Sequence, residues 1–146
     1  MPFVPSRVLL KTSAVGLCLL LGLLAADSRR SSPQLDRELV ERGRYLVHHV
    51  AMCAQCHSPR DENGGLQELH LLEGGTIPVA SPFAGVTWAS AAPHLAGLPG
   101  FEPTNVVTLL TTGRRPDGRI PRPPMPPFRL DRDDATAIVT YLESLE

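Results

Sequence analysis

The sequence predicts an all-α domain: three to four helices joined by long loops, with too few aromatic residues to build a thick core of its own. Three observations predict it. Cys53-Ala54-Gln55-Cys56-His57 sets two cysteines three apart with a histidine directly after the second, the spacing of a c-type haem attachment site. Apolar residues recur at helical spacing on either side of a long middle segment. That segment is rich in proline and glycine, and nowhere do β-branched residues alternate over a run long enough to specify a sheet.

The cysteine spacing has a chemical reason. Each thiol adds across a haem vinyl group to make a thioether, and one turn of helix lets both sulfurs reach the same porphyrin edge. His57 then presents an imidazole nitrogen to the iron. The expected architecture is therefore three to four helices and long loops wrapped around one covalent haem c, attached through Cys53, Cys56 and His57. A zinc site on these residues would need a fourth ligand, normally from a second Cys or His pair. The remaining cysteine, Cys18, sits inside an apolar N-terminal run. A thioredoxin-like redox pair would expect a βαβ context that this chain lacks.

Composition agrees. Fifteen prolines and twelve glycines stand against four Phe, two Tyr and one Trp in 146 residues, enough for one compact domain and a short appendage. A porphyrin would fill the deficit of core. A formal net charge of −1 gives no reason to expect a nucleic-acid partner.

Residues 1–30 read as a targeting segment with its linker, and residues 31–146 as the domain. Arg7 and Lys11 form a positive leading region, and an uncharged, leucine-rich stretch runs from residue 14 to 26. It is shorter than the ~20 residues of a membrane span and fits a signal peptide. Cleavage after Ala26 would put Leu24 where a small residue is expected, so a retained membrane anchor is an equal reading. Leu17 before Cys18 is too large for a lipidation motif. Either way the domain is exported, to the periplasm or the outer face of the inner membrane, the side on which c-type haem is attached.

The elements follow in order. Ser32 is an N-cap with Pro33 in the first turn, and Leu35, Leu39, Gly43, Leu46 or Val47, and Val50 carry a helix towards Cys53. Gly43 inside that helix costs about 1 kcal/mol against alanine, which points to close approach of another helix. From Ser58 to Pro103 the chain reads as irregular. Thr104 caps a short helix ended by Gly113, and a basic, proline-rich loop spans Arg114 to Leu130. Asp131 starts the last helix, with Asp134 in the capping-box position and Ala135, Ile138, Leu142 and Leu145 as its apolar stripe.

The iron's far side decides the chemistry: a methionine makes an electron-transfer centre, whereas an open position admits small molecules. Met1 lies in the targeting segment, and Met52 abuts Cys53 on what reads as the same helix. Met125 remains, in Arg122-Pro123-Pro124-Met125-Pro126-Pro127-Phe128, where prolines stiffen the loop. His70 is its best rival.

With these motifs in place the chain from about Leu35 to Glu146 resembles a class I, monohaem cytochrome c. The resemblance is carried by Arg42-Gly43-Arg44-Tyr45-Leu46-Val47, the Cys53–His57 motif, Ala92-Pro93-His94-Leu95-Ala96-Gly97, Met125-Pro126-Pro127-Phe128 and the closing Ala135, Ile138, Val139, Tyr141 and Leu142. It implies that the Pro93 carbonyl accepts from the Nδ1–H of His57, and that Gly43 and Tyr45 meet Tyr141 and Leu142. It also gives Trp88 as a donor to a haem propionate, with core packing as the alternative. Arg44–Val47 with His57-Ser58-Pro59-Arg60-Asp61 is similar to cytochrome subunits that accompany periplasmic dehydrogenases.

The implied function is one-electron transfer with His57 and Met125 as axial ligands, by a soluble or membrane-tethered carrier and not an enzyme. The alternatives are a fixed haem-bearing subunit of a respiratory complex or dehydrogenase, and a peroxidase-like enzyme if Met125 does not bind iron. Arg114, Arg115, Arg119 and Arg122 beside the Met125 loop suggest a redox partner with an acidic docking face.

Overall fold

The computed structural model describes residues 32–145. The expected targeting segment, Met1 and Cys18 lie outside the described residues. The chain divides into residues 1–35 and a compact unit, 36–146, which contains the haem motif.

Helix α1 spans Ser32–Tyr45 and passes directly into a wider, π-helical turn, Leu46–Val50. Leu46 and Val47 are buried there, and Leu39 and Val40 pack on the same core from α1. The helix does not run on to Cys53. Met52 adopts φ 55°, which breaks it, and the chain restarts as the single turn α2, Ala54–His57. Met52 therefore lies in a left-handed link between two helices and not on the helix expected from the sequence.

The segment after α2 is looped, but it is not featureless. A one-turn 3₁₀ helix covers Glu68–His70, and strands β1, Gly75–Thr76, and β2, Ala91–Ala92, pair antiparallel with Gly75 opposite Ala92. A further bond from the Ile77 N–H to the Ser90 carbonyl, 2.9 Å, extends this ribbon. Two-residue strands are too short for any alternation in the sequence to mark them.

Helix α3 spans Pro103–Thr112 and α4 spans Arg132–Glu143. Thr104 is inside α3, not its cap. Pro103 has the φ of a first helical turn and no N–H to satisfy, so the helix starts two residues earlier, after Glu102. Gly113 ends α3 with φ 66°, and its N–H closes on the Leu109 carbonyl at 2.8 Å.

Asp131 caps α4 by accepting the Asp134 N–H at 2.8 Å. The expected return bond from Asp134 is absent. Its carboxylate takes the Arg42 guanidinium of α1 instead, at 2.8 and 3.0 Å, tying the first helix to the last.

Helix α4 organises the core. Ala135, Ala137, Ile138, Val139, Tyr141 and Leu142 are buried on it, and it packs against α3 and the π-helical turn. Gly43 meets the Ala137 backbone carbonyl and the Tyr141 Cβ so closely that no side chain fits. Tyr45 does not join this crossing: it is 51% exposed and lies against the His49 ring. His48 takes its place, with Nε2 2.8 Å from the Tyr141 hydroxyl.

Candidate functional site

Residues 53–58 hold the attachment motif in one turn. The His57 N–H donates to the Cys53 carbonyl at 2.9 Å, and the Cys53 N–H donates to the Val47 carbonyl at 2.9 Å. The turn thus hangs from the buried π-helical segment. Cys53 and Cys56 are both free thiols, partly exposed. Burial pushes the Cys53 thiol up to about 11. A redox-active cysteine pair wants a thiol pushed down, so this environment does not suit one that cycles.

His57 is buried, and its Nδ1 lies 2.9 Å from the Pro93 carbonyl. A carbonyl can only accept, so Nδ1 carries the hydrogen and Nε2 keeps its lone pair. Burial lowers the pKa of His57, with the Pro93 contact opposing, which favours the neutral, ligating form. Nε2 has no hydrogen-bond partner among the described residues.

The short ribbon explains why Pro93 stands where it does. The Gly74 N–H donates to the His57 carbonyl at 2.8 Å, Gly75 pairs with Ala92, and Pro93 follows Ala92 directly. Behind the motif the buried Ser58 hydroxyl accepts the Leu72 N–H at 2.9 Å. The Leu72 carbonyl in turn receives the Leu95 N–H at 2.7 Å, and the Gly97 N–H reaches the Leu142 carbonyl of α4 at 2.8 Å. His57 and Pro93 are thus joined twice, once through the imidazole and once through the backbone of 74–92.

Met125 lies half-buried in its proline-rich loop. One end of that loop is tied to the ribbon flank by the Ala89 N–H on the Pro123 carbonyl, 2.8 Å. The other is tied to α3 by the Leu130 N–H on the Leu110 carbonyl, 3.1 Å. The same flank that sets Pro93 therefore anchors the methionine loop. His70 is exposed and paired with Glu73 at 2.9 Å.

The Trp88 indole N–H donates to the Val79 carbonyl at 2.9 Å, across the loop between β1 and β2. An indole has a single donor, and here it closes this loop. Sequence reasoning missed the roles of Ser58, Gly74 and Gly75, since a serine after the motif and a glycine pair read as ordinary loop residues.

The fit to a haem rests on this donor set: two free thiols on one turn, a buried neutral imidazole with Nε2 unpartnered, and a stiff loop carrying a thioether. Among the described residues no group of three or more His, Cys, Asp and Glu side chains is gathered to hold a metal ion by itself. A family model described as Cytochrome c matches residues 40–146. The chain belongs to the cytochrome c family.

Covalent haem c is the cofactor of this family, and haem-based electron transfer is what a cytochrome c domain carries out. No curated protein matches the sequence. The cytochrome c match takes in every element from the middle of α1 onwards, including the ribbon that the family motifs gave no means of reading.

Proposed function

We propose that this cytochrome c is a one-electron carrier in which Cys53 and Cys56 form the thioethers and His57 and Met125 are the axial ligands. When bound, haem c supplies a one-electron couple between ferrous and ferric iron. The chain's own residues do the rest. The Pro93 carbonyl fixes the His57 ring and its tautomer, which leaves Nε2 to ligate. The proline-rich loop presents Met125 on a backbone that hardly moves, so the ligand set changes little between oxidation states. The bond from His57 Nδ1 to Pro93 at 2.9 Å carries the reading, because it orients a buried imidazole with nothing else to do.

The test is the weak near-infrared band of methionine on ferric haem. Wild-type protein shows the band. Met125→Ala loses it while pyridine haemochrome analysis still finds covalent haem. A band that persists in the variant refutes Met125 as ligand.

The carrier works outside the cytoplasm, in the periplasm or tethered to the outer face of the inner membrane by its N-terminal apolar run. Among the described residues no helix is long and apolar enough to cross a membrane. The partner is a redox protein with an acidic face. Arg115 and Arg122 make no ion pair among the described residues, whereas Arg119 is held by Asp117 at 2.6 Å and Arg114 bonds the Gly118 carbonyl. Electron-transfer rates with the partner should fall as ionic strength rises; rates insensitive to salt count against an arginine-steered face.

A further inference from the structure

Arg60, three residues past His57, has a role that the ligand set does not explain. Its Nη2 donates to the Gln55 carbonyl at 2.8 Å, and its Nη1 donates to the Gly64 carbonyl at 2.6 Å. Gln55 lies between the two haem cysteines, so the guanidinium grips the attachment turn at its centre. That turn is too short to satisfy its own carbonyls, and a cation at its end meets this need.

The charge is unusual in its surroundings. Arg60 Nε is buried without a partner, and the side chain makes no ion pair among the described residues. The adjacent Asp61 is turned away into its own loop, where Oδ1 accepts the N–H groups of Asn63 and Gly65, both at 2.9 Å. The loop is locked by the Arg60–Leu66 bridge and by Gln67 Nε2 on the Arg60 carbonyl at 3.0 Å. Arg60 is therefore a fixed, partly desolvated positive charge at the edge of the haem turn, where water screens it weakly.

We propose that Arg60 is a positioning residue for the haem-attachment turn whose charge raises the reduction potential of the bound haem. The proposal rests on the cytochrome c reading above and deepens it. Reduction adds one negative charge at the iron, so a nearby guanidinium favours the reduced form.

The experiment is spectroelectrochemical titration of the haem-loaded protein with three variants. Arg60→Gln should shift the one-electron equilibrium towards the oxidised form by about three- to tenfold, tenfold being ~59 mV. Arg60→Lys, which keeps the charge but not the fork, should stay within about twofold of wild type. Gln55→Glu leaves the backbone carbonyl in place and adds an exposed carboxylate to the turn that the guanidinium grips. It should shift the potential in the same direction as Arg60→Gln, and it carries the test if Arg60→Gln fails to load haem. Equal shifts in the Lys and Gln variants, or an unmoved potential in Arg60→Gln or Gln55→Glu, overturn the proposal. Wild-type protein that shows no covalent haem by pyridine haemochrome overturns the underlying reading as well; haem-loaded variants of unaltered potential overturn this inference alone.

Discussion

The imidazole of His57 donates to the backbone carbonyl of Pro93 at 2.9 Å, a contact between residues 36 apart in the chain. A bond over that distance holds only if the intervening chain is itself fixed. Here the fixing is done by backbone: Gly74 on His57, Gly75 on Ala92, and Leu72 on Ser58. A carbonyl cannot be removed by substituting its side chain, so the arrangement is vulnerable where the backbone packs and not at Pro93 itself.

Gly75 is that point. A Cβ there would meet the Ser58 carbonyl, and the Ser58 C at 2.8 Å, atoms that cannot rotate away. Gly75→Ala should therefore cost about 1–3 kcal/mol in denaturant unfolding, as overpacking against rigid neighbours does. It should also broaden or shift the low-field proton resonance of His57 Nδ1–H. Pro93→Ala keeps the acceptor and should leave that resonance in place, at a cost of about 0.4–1 kcal/mol from the freer unfolded chain. A larger effect at Pro93 than at Gly75 would show that the ribbon does not set the geometry.

The crossing of α1 and α4 makes a second case. Gly43 faces the Ala137 carbonyl and the Tyr141 Cβ, and nothing larger than hydrogen fits between them. Alanine would return about 1 kcal/mol of helix propensity, but the neighbours are backbone and the root of a buried side chain. Overpacking should win. Gly43→Ala should be destabilised by about 1–3 kcal/mol in chemical denaturation, with the haem still attached. A stabilised variant would mean that the two helices part easily.

These two glycines differ in how far the sequence announced them. Gly43 interrupts a regular apolar stripe, so its cost demands a packing reason, and the closing Ala135–Leu142 pattern supplies the partner. The haem motif was legible for the same kind of reason: the spacing of Cys53, Cys56 and His57 is dictated by covalent chemistry. Gly75 sits among prolines and small residues, where a glycine needs no explanation. The stretch from residue 74 to 101 holds no Asp, Glu, Lys or Arg and no apolar period, so neither charge nor hydrophobic pattern marks its two short strands. Its order comes from backbone bonds between segments that are distant in sequence. The break at Met52 was hidden likewise: the Leu46–Val50 turn keeps Leu46 and Val47 buried but turns Val50 out to solvent, and nothing in the apolar spacing marks where that change begins. Nothing in the sequence around His48 signals a partner, and only the crossing with α4 brings it to Tyr141.

That last pair gives stability a pH dependence. His48 is half-buried beneath Tyr141, and desolvation lowers its pKa below the ordinary 6.5, with His49 and Arg44 adding to the shift and Glu68 opposing it. Its folded pKa lies below its unfolded one, so in the window between them the unfolded chain binds more protons and stability rises with pH. The contribution is complete above about pH 6.5 and is lost as pH falls from there through the folded value. Urea unfolding of the haem-loaded protein at a series of pH values should show this decline. The loaded protein is the right material, because under the proposed ligation His57 is held by iron and does not titrate alongside. His48→Gln keeps a hydrogen-bonding group near Tyr141 but has no charge to gain, so its stability should be flatter over the same range. Parallel curves for the two proteins would place the acid sensitivity elsewhere, and His48 would then be no more than a packing residue at the helix crossing.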